Sequence, residues 1–259
     1  MSSLDMPVAR WPYPRLIAHR GGGSLAPENT LAALRTGHTR GFKAVEFDVA
    51  LSADDTAVLM HDDTVDRTTN GHGRLDRIDA AALAQLDAGA WHGAAFKGEP
   101  VPTFAAAATL CVELGLWANV EIKPASGHEA DTGRIAALLA RDIWHGAPLA
   151  PLLSSFQPQA LAAARDAAAE LPRALLFDAV PGDWRAQLDS LACVALHCNA
   201  ATLNSDTAAE IVAAGYGLAV WTVNDRHQAE RLFTMGVDAI FTDRLDLFAG
   251  FQARPALRR

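Results

Sequence analysis

Residues 15–51 read RLIAHRGGGSLAPENTLAALRTGHTRGFKAVEFDVAL, and this stretch decides the fold. Apolar runs at 15–19 and 44–51 predict two strands, and the alanine- and leucine-rich residues 30–40 between them predict a helix. A helix that joins two apolar strands in this way is typical of a parallel pair with the helix packed across it. The stretch therefore predicts an α/β fold.

The same alternation continues along the chain. Further strands are predicted at 57–61, 116–123, 151–156, 173–177, 193–198, 217–224 and 237–242, and helices at 104–114, 131–144, 158–170, 206–214 and 226–235. Because single helices separate apolar strands, we predict a parallel barrel rather than a sandwich. Residues 62–100 are rich in turn-forming residues and break the alternation, so they are predicted to form a small insertion over the barrel mouth.

The composition favours one globular domain. The chain has 259 residues, of which 50% are hydrophobic and 20% charged, and no linker-like segment divides it. We therefore expect a single domain over residues 1–259. No segment approaches the roughly twenty apolar residues of a membrane span, and residues 1–15 lack the apolar core of a leader. These features predict a cytoplasmic protein without a membrane span.

The net charge limits the classes of partner that the sequence predicts, and the cysteines limit the cellular compartment. The net charge of −8 argues against binding nucleic acid through a broad basic surface, so we expect a small-molecule partner. The cysteines Cys111, Cys193 and Cys198 are odd in number and lack CxxC spacing, which predicts buried, reduced thiols. The oligomeric state is left open by the sequence.

Acidic residues on two predicted strands share the inward face. In the strand at 44–51, Glu46 and Asp48 alternate with apolar residues, and in the strand at 116–123 Glu121 and Lys123 do the same. Buried carboxylates are costly without compensation, and oxygen ligands without His or Cys select a hard ion. We predict one divalent metal ion, Mg²⁺ or Ca²⁺, on Glu46, Asp48 and Glu121, although simple ion pairs would also account for these charges.

Two histidines follow predicted strands near this cluster. His19 and His61 can each act as acid or base near neutral pH, Arg20 offers a fork for a phosphate, and Lys123 offers a point charge. A metal and two cations around one anion, flanked by two proton carriers, provide what cleavage of a phosphodiester requires.

The chain closely resembles the glycerophosphodiester phosphodiesterase family in a series of motifs that follow one another in order. They are His19-Arg20-Gly21, Ala26-Pro27-Glu28-Asn29-Thr30, Glu46-Phe47-Asp48-Val49, His61-Asp62-Asp63, Asp66-Arg67-Thr68-Thr69-Asn70-Gly71, Pro102-Thr103, Glu121-Ile122-Lys123, Ser155-Phe156, Trp221-Thr222-Val223-Asn224 and Thr242-Asp243-Arg244. The resemblance implies a TIM barrel that hydrolyses glycerophosphodiesters to glycerol 3-phosphate and an alcohol.

The resemblance also implies roles for individual residues. His19 and His61 correspond to the acid/base pair, Arg20 and Lys123 to phosphate ligands, and the carboxylates named above to the metal site. Trp221 and Phe156 are predicted to line the glycerol side, although a buried structural role is nearly as good an interpretation for both. Asn29 or Thr30 is predicted to cap the helix at 30–40, and Asp206 the helix at 206–214; Asn29 is interpreted as such a cap rather than as a substrate contact. The remaining histidines are interpreted as surface or satisfied residues: His38, His72, His92, His128, His145, His197 and His227.

Two other functions stay open. A related phosphodiesterase or lyase could act on lysophospholipids or other diesters and stop at a cyclic phosphate, because a glycerol hydroxyl next to the ester can attack phosphorus before water does. A phosphate-ester binding protein without turnover is the third possibility, which the presence of both proton carriers disfavours. The alcohol that leaves, the identity of the metal and the division of acid and base between His19 and His61 are not predicted.

Overall fold

The structure, a computed structural model, describes residues 10–251. Its strands are β1 Leu16–Ala18, β2 Ala44–Leu51, β3 Ala57–Leu59, β4 Trp117–Ile122, β5 Leu152–Ser155, β6 Arg173–Phe177, β7 Ala195–Asn199, β8 Gly217–Trp221 and β9 Ala239–Thr242. Its helices are α1 Leu31–Thr39, α2 Ala80–Leu83, α3 Phe104–Leu114, α4 Glu129–Ile143, α5 Pro158–Ala167, α6 Trp184–Leu191, α7 Ser205–Ala213, α8 Arg226–Thr234 and α9 Leu245–Phe248.

The strands close into a parallel barrel. The sheet order is β1-β9-β8-β7-β6-β5-β4-β2-β3, and β1 also pairs with β2 through Ala18 and Val45. Of the nine strands within residues 10–251, β3 lies outside the ring, so eight parallel strands with helices between them form the barrel. The predicted TIM (β/α)8 barrel is confirmed.

One predicted strand has a different place from its neighbours. The run at 57–61 forms β3, which pairs antiparallel with β2, Val49 opposite Leu59. The connection between β2 and β3 is too short for the helix that a parallel crossover needs. This strand therefore carries His61 to the mouth without joining the barrel.

The amino-terminal end of the barrel is filled by apolar side chains. They form one inner cluster of Ile17, Ala44, Trp117, Leu152, Ala174, Ala195, Ala219, Ala239 and Phe241. Trp11 and Tyr13 pack against it, and the ring of Tyr13 stacks on that of Trp117 at 4.4 Å. With this end closed, polar side chains collect at the other end, where the active sites of TIM barrels lie.

The structure decides between two predicted caps of the first helix and corrects the predicted cap of another. The side chain that caps α1 is Thr30, whose Oγ1 accepts a hydrogen bond from the backbone N–H of Ala33 over 3.1 Å, and not Asn29. Helix α7 is capped by Asn204 rather than by Asp206, which lies in its first turn. Neighbouring polar residues at a helix start compete for the capping position, so sequence alone leaves the choice open by a residue or two.

The predicted insertion, residues 62–100, lies within the connection from β3 to α3, residues 60–103. Its apolar residues pack with β2 and β3 in a small cluster of their own. Glu99 Oε1 accepts a hydrogen bond from the backbone N–H of Ala32 over 2.9 Å, and His92 Nε2 lies 3.3 Å from the carbonyl oxygen of Ser24. Both contacts are to the segment that follows β1, so the insertion lies at the barrel mouth.

Two further expectations concern the chain as a whole. No helix within residues 10–251 is long and apolar enough to cross a membrane. The prediction made for residues 1–15 falls largely on residues 1–9, which lie outside the described part. The three cysteines are buried and unpaired, as predicted.

Candidate active site

A cavity of about 310 Å³ opens at the carboxyl ends of the barrel strands. Every residue predicted for the site borders it: His19, Arg20, Glu46, Asp48, His61, Glu121, Lys123, Phe156 and Trp221. Five further residues complete the lining: Asn119, Leu176, His197, Thr222 and Phe241. The structure thus brings the predicted acids, bases, cations and aromatic residues to one place.

Three carboxylates meet at the centre of this cavity. Strand alternation points Glu46 and Asp48 inward from β2, and Asp48 lies opposite Glu121 in the neighbouring strand β4. One oxygen from each of the three lies within 4.8 Å of the others, and Glu46 and Asp48 are only 2% and 1% exposed. Such a group of hard oxygen ligands fits a divalent cation.

The electrostatics of the cluster support this fit. Burial, followed by repulsion from Asp48 and Glu121, raises the pKa of Glu46 well above its ordinary value. Burial and Asp48 likewise raise the pKa of Glu121, against the opposing effect of Lys123, whose Nζ lies 3.5 Å from Glu121 Oε1. A cation would relieve this repulsion, because an opposite charge favours the ionised carboxylates.

Backbone and amide groups hold the carboxylates in place. Asn29 Nδ2 donates a hydrogen bond to Asp48 Oδ2 over 2.8 Å, and Asn29 Oδ1 accepts one from the Asp48 backbone N–H over 3.0 Å. The backbone N–H of Arg20 donates to Glu46 Oε2 over 2.8 Å. The segment after β1 therefore orients two of the three carboxylates. Asn29 is a positioning residue, and its interpretation as a cap is wrong.

His19 is held by a carboxylate from the far end of the chain. Its Nδ1 lies 2.7 Å from Asp243 Oδ1, and Asn224 Nδ2 donates a hydrogen bond to the other oxygen of Asp243 over 3.1 Å. Gly23 permits this approach, since its φ is +53° and a Cβ would collide with the backbone of Asp243. With Nδ1 occupied by Asp243, Nε2 is turned to the cavity, 3.9 Å from Glu46 Oε2.

His61 has a carboxylate partner of its own. Its Nδ1 lies 2.6 Å from Asp62 Oδ1, and its Nε2 lies 3.3 Å from Lys123 Nζ. Because an ammonium only donates, this contact assigns the proton to Nδ1 and the lone pair to Nε2. Burial lowers the pKa of His61, and the positive charges of Arg20 and Lys123 lower it further. The neutral, base-like form is therefore favoured.

A chain of ion pairs joins the partner of His61 to Arg20. Arg67 donates to both oxygens of Asp62, over 2.6 and 2.9 Å, and to both oxygens of Glu28, each over 2.8 Å. Glu28 Oε1 also accepts from Arg20 Nη1 over 2.7 Å. The insertion residue Arg67 thus links the barrel loop after β1 to the loop after β3. Sequence analysis assigned no role to Glu28, Asp62 or Arg67, although all three stand within the quoted motifs.

Aromatic residues form the opposite wall. The ring of Phe156 meets that of Trp221 edge-on with centroids 5.7 Å apart, and Phe156 is 39% exposed. Trp221 is partly buried and ends β8. This part of the cavity wall is apolar, whereas the part formed by the carboxylates and the cations is charged.

His197 is neither a surface residue nor a satisfied one. It lies on β7, is fully buried, and neither of its ring nitrogens has a hydrogen-bond partner within residues 10–251. The interpretation from sequence is wrong here because no motif surrounds His197. The signal that could have found it is the strand alternation, which places His197 on the same inward face as Ala195 and Asn199.

Comparison with solved structures identifies the class of barrel. An Oleispira antarctica phosphodiesterase, solved in complex with the product sn-glycerol-3-phosphate, matches with a TM-score of 0.86 at 36% identity, over 92% of this chain and 96% of that one. The crystal structure of glycerophosphodiester phosphodiesterase from Agrobacterium tumefaciens matches with a TM-score of 0.78 at 28% identity, over 92% and 100%. The fold is that of TIM-barrel phosphodiesterases.

Sequence comparison gives the family. Residues 19–247 match the model of the glycerophosphoryl diester phosphodiesterase family. YhdW of Bacillus subtilis is 34% identical over 236 residues, which cover 89% of this chain and 95% of that protein. The glycerophosphodiester phosphodiesterase of Caldanaerobacter subterraneus is 32% identical over 229 residues, covering 88% and 93%. The chain belongs to the glycerophosphoryl diester phosphodiesterase family of enzymes, as its motifs predicted.

Proposed function

We propose that this enzyme hydrolyses glycerophosphodiesters to glycerol 3-phosphate and an alcohol, with His19 and His61 as the proton carriers. One observation carries the proposal: both histidines border the same cavity, and each binds a carboxylate through Nδ1, at 2.7 Å for His19 and 2.6 Å for His61. Such pairing fixes the ring orientation and leaves Nε2 for the substrate. The product bound in the Oleispira antarctica phosphodiesterase supports the same substrate class.

We assign the metal site to Glu46, Asp48 and Glu121, and the ion to Mg²⁺ or Ca²⁺. The donor set supports the assignment, because all three ligands are carboxylates and hard cations prefer oxygen. When bound, such an ion neutralises negative charge on the phosphoryl oxygens as it develops.

The cations of the chain bind the phosphate. Arg20 borders the cavity with a buried Nε that makes no hydrogen bond within residues 10–251 and lies 3.8 Å from Asp48 Oδ2. Lys123 borders the cavity at the side of His61. Arg20 provides directed N–H groups and Lys123 provides a point charge. Together they orient the ester between the two histidines.

The reaction balances with two proton transfers. One histidine takes a proton from the attacking water as the new oxygen–phosphorus bond forms. The other gives a proton to the alkoxide as the bond between phosphorus and the leaving oxygen breaks. Both rings return to their starting state when the proton is passed from the first histidine to the second through solvent.

The aromatic wall places the two substituents of the ester. We assign the glycerol side to Trp221 and Phe156, whose apolar faces suit the carbon edge of a small polyol. The alcohol that leaves then faces the open mouth, where its size has little effect. This arrangement favours hydrolysis of several glycerophosphodiesters rather than one.

We further propose that residues 1–259 act as one domain in a reducing compartment. The contacts of Arg67 with Asp62 and Glu28 support the first part, because they make the insertion a part of the site. Three buried, unpaired thiols support the second.

Product identification tests the proposed function. A panel of glycerophosphocholine, glycerophosphoethanolamine and a lysophospholipid, incubated with Mg²⁺, with Ca²⁺ and with chelator, should yield glycerol 3-phosphate from the first two. A cyclic phosphate as the final product would show a lyase instead. No turnover of any diester, with retained binding of glycerol 3-phosphate, would show a binding protein.

A further inference from the structure

The bottom of the cavity contains polar atoms that lack partners. Both ring nitrogens of His197, Oδ1 of Asn119 and Nε1 of Trp221 are buried and make no hydrogen bond within residues 10–251. All three residues border the cavity. Buried polar groups in proteins are nearly always paired, so a cluster of unpaired ones in a cavity indicates a polar ligand.

The position of these atoms limits what the ligand can be. Asn119 lies opposite Glu46 and two residues before Glu121 on β4, one layer below Asp48 and Glu121. His197 lies on β7 opposite Leu176 and Ala219. Below them the apolar cluster with Phe241 closes the barrel. A substituent that reaches this layer from a phosphate above it has to be small.

The chemistry of the three groups requires a ligand that both donates and accepts. Burial lowers the pKa of His197 to about 3, so its ring is neutral at the pH of catalysis, with one donor and one acceptor nitrogen. Trp221 Nε1 only donates. Asn119 donates from Nδ2 to Ser154 Oγ over 2.9 Å, which leaves its Oδ1 as an acceptor. Hydroxyl groups match this set, since each hydroxyl donates once and accepts as well.

We propose that His197, Asn119 and Trp221 form a subsite that recognises the two free hydroxyls of the glycerol moiety. This inference rests on the proposed function and adds the residues that select a hydroxylated substituent over an alkyl one. His197 is a specificity-determining residue in this subsite. A pocket built to bond hydroxyls discriminates against analogues that lack them, because its buried polar groups are then left unpaired.

A pair of synthetic esters tests the subsite. The p-nitrophenyl ester of glycerol 3-phosphate and propyl p-nitrophenyl phosphate have the same leaving group and differ only in the two hydroxyls. His197→Phe keeps a flat ring without nitrogens, and we expect it to reduce the ratio of kcat/KM between the two esters by about 10- to 100-fold, the effect of losing one or two buried hydrogen bonds. Trp221→Phe should reduce the same ratio by a smaller factor.

Leu176→Val is the matched control. Leu176 lies opposite His197 in β6 and borders the same cavity but makes no hydrogen bond with its side chain. Shortening the Leu176 side chain should change kcat/KM equally for both esters and leave their ratio as in the wild type. If the ratio is also unchanged in His197→Phe and Trp221→Phe, with melting temperatures that show folded protein, the subsite is refuted.

A binding measurement separates this inference from the proposed function. Calorimetry with glycerol 3-phosphate and with propyl phosphate reports the preference without turnover. A wild-type enzyme that cleaves neither ester but binds glycerol 3-phosphate more tightly, with the difference lost in His197→Phe, would overturn the reaction and support the subsite. Equal affinities of the wild type for the two ligands would overturn the subsite.

Discussion

Asn29 binds Asp48 at two points, the carboxylate through Nδ2 at 2.8 Å and the backbone N–H through Oδ1 at 3.0 Å. Asn29 has a φ of 57°, a left-handed conformation that Asn tolerates better than most residues. The amide therefore fixes the orientation of a carboxylate that is 1% exposed and lies within the acidic cluster. Replacing a group that orients a metal ligand commonly lowers metal affinity by roughly 10- to 100-fold.

The first prediction follows from this contact. Asn29→Gly removes the amide and keeps the left-handed backbone, so the metal concentration for half-maximal activity should rise about 10- to 100-fold. Asn204→Gly is the control, because Asn204 caps α7 and makes no contact with the site. It should alter the melting temperature alone. An unchanged metal requirement in Asn29→Gly would show that Asp48 needs no support from Asn29.

The second prediction concerns the metal itself. Excess chelator should abolish turnover, and Mg²⁺ or Ca²⁺ should restore it. Glu46→Gln, Asp48→Asn and Glu121→Gln should each raise the metal requirement steeply, measured by titrating activity against the free ion. Glu113→Gln, an exposed change on α3, serves as control. Full activity in excess chelator would contradict the site.

The third prediction links the raised pKa of Glu121 to stability. In chelator the folded protein keeps a proton on Glu121 up to a pKa of about 7, whereas the unfolded chain loses it near the ordinary value of 4.5. The folded state thus binds more protons in this window, so its stability falls as the pH rises. Glu121→Gln removes this titration. The free energy of unfolding of the variant should therefore exceed that of the wild type by an amount that grows between about pH 4.5 and 7.

Denaturant unfolding at several pH values in chelator measures this difference. At pH 7 and above the variant should be more stable on the order of 1–3 kcal/mol, while near pH 4.5 the two proteins should be alike. The titration of His61 is common to both proteins. Loss of the Glu121 charge also lowers the raised pKa of Glu46, which increases the difference in the same direction. Saturating Mg²⁺ or Ca²⁺ should reverse the order, because the ion stabilises only the wild type fully. A constant difference across the pH range would contradict the raised pKa.

Sequence patterns predict features that depend on nearby residues and miss contacts between residues far apart in the chain. Alternation along one strand is local, so it correctly placed Glu46, Asp48 and Glu121 on the inward face. The pairing of His19 with Asp243 joins residues 224 positions apart, and it exists only because β1 closes the barrel against β9. Without a known barrel register, no local pattern indicates such a partner.

Three other differences from the sequence prediction have separate causes. Helix α6, Trp184–Leu191, was not predicted, because it is short and follows a turn-rich segment. Asn29 was interpreted as a cap because Asn is a good capping residue, and the competing contact with Asp48 is tertiary. His197 stands in no motif, so its place in the site is known only from the cavity that it borders.

The fourth prediction concerns the partner of His61. Asp62→Asn replaces the carboxylate that accepts from Nδ1 with a neutral amide that can also donate, so the proton is no longer fixed on Nδ1. We expect kcat to fall on the order of 10²-fold, since a positioned proton carrier contributes about 10²–10⁴-fold. The pKa of His61 should fall further, because its hydrogen bond to Asp62 raises it. The low-pH limb of the rate profile reports this change if His61 is the base.

The insertion provides a matched control for this test. Asp66 pairs with Nδ1 of His72 over 3.1 Å, and both side chains are exposed. Asp66→Asn should leave kcat within about 2-fold of the wild type, because surface ion pairs contribute little. Equal losses in the two variants would indicate a general effect on the insertion rather than on His61.

The last prediction concerns the division of acid and base. His19→Gln and His61→Gln should each slow the reaction roughly 10²–10⁴-fold with little change in metal requirement, and the wild-type rate should depend on pH in a bell shape. His72→Gln is the control. An ester with a leaving group of low pKa hardly needs an acid, so it should rescue the variant that lacks the acid and leave the other slow. Equal rescue of both variants, or no loss in either, would contradict the two-histidine mechanism, because each ring is then dispensable for the proton transfer assigned to it.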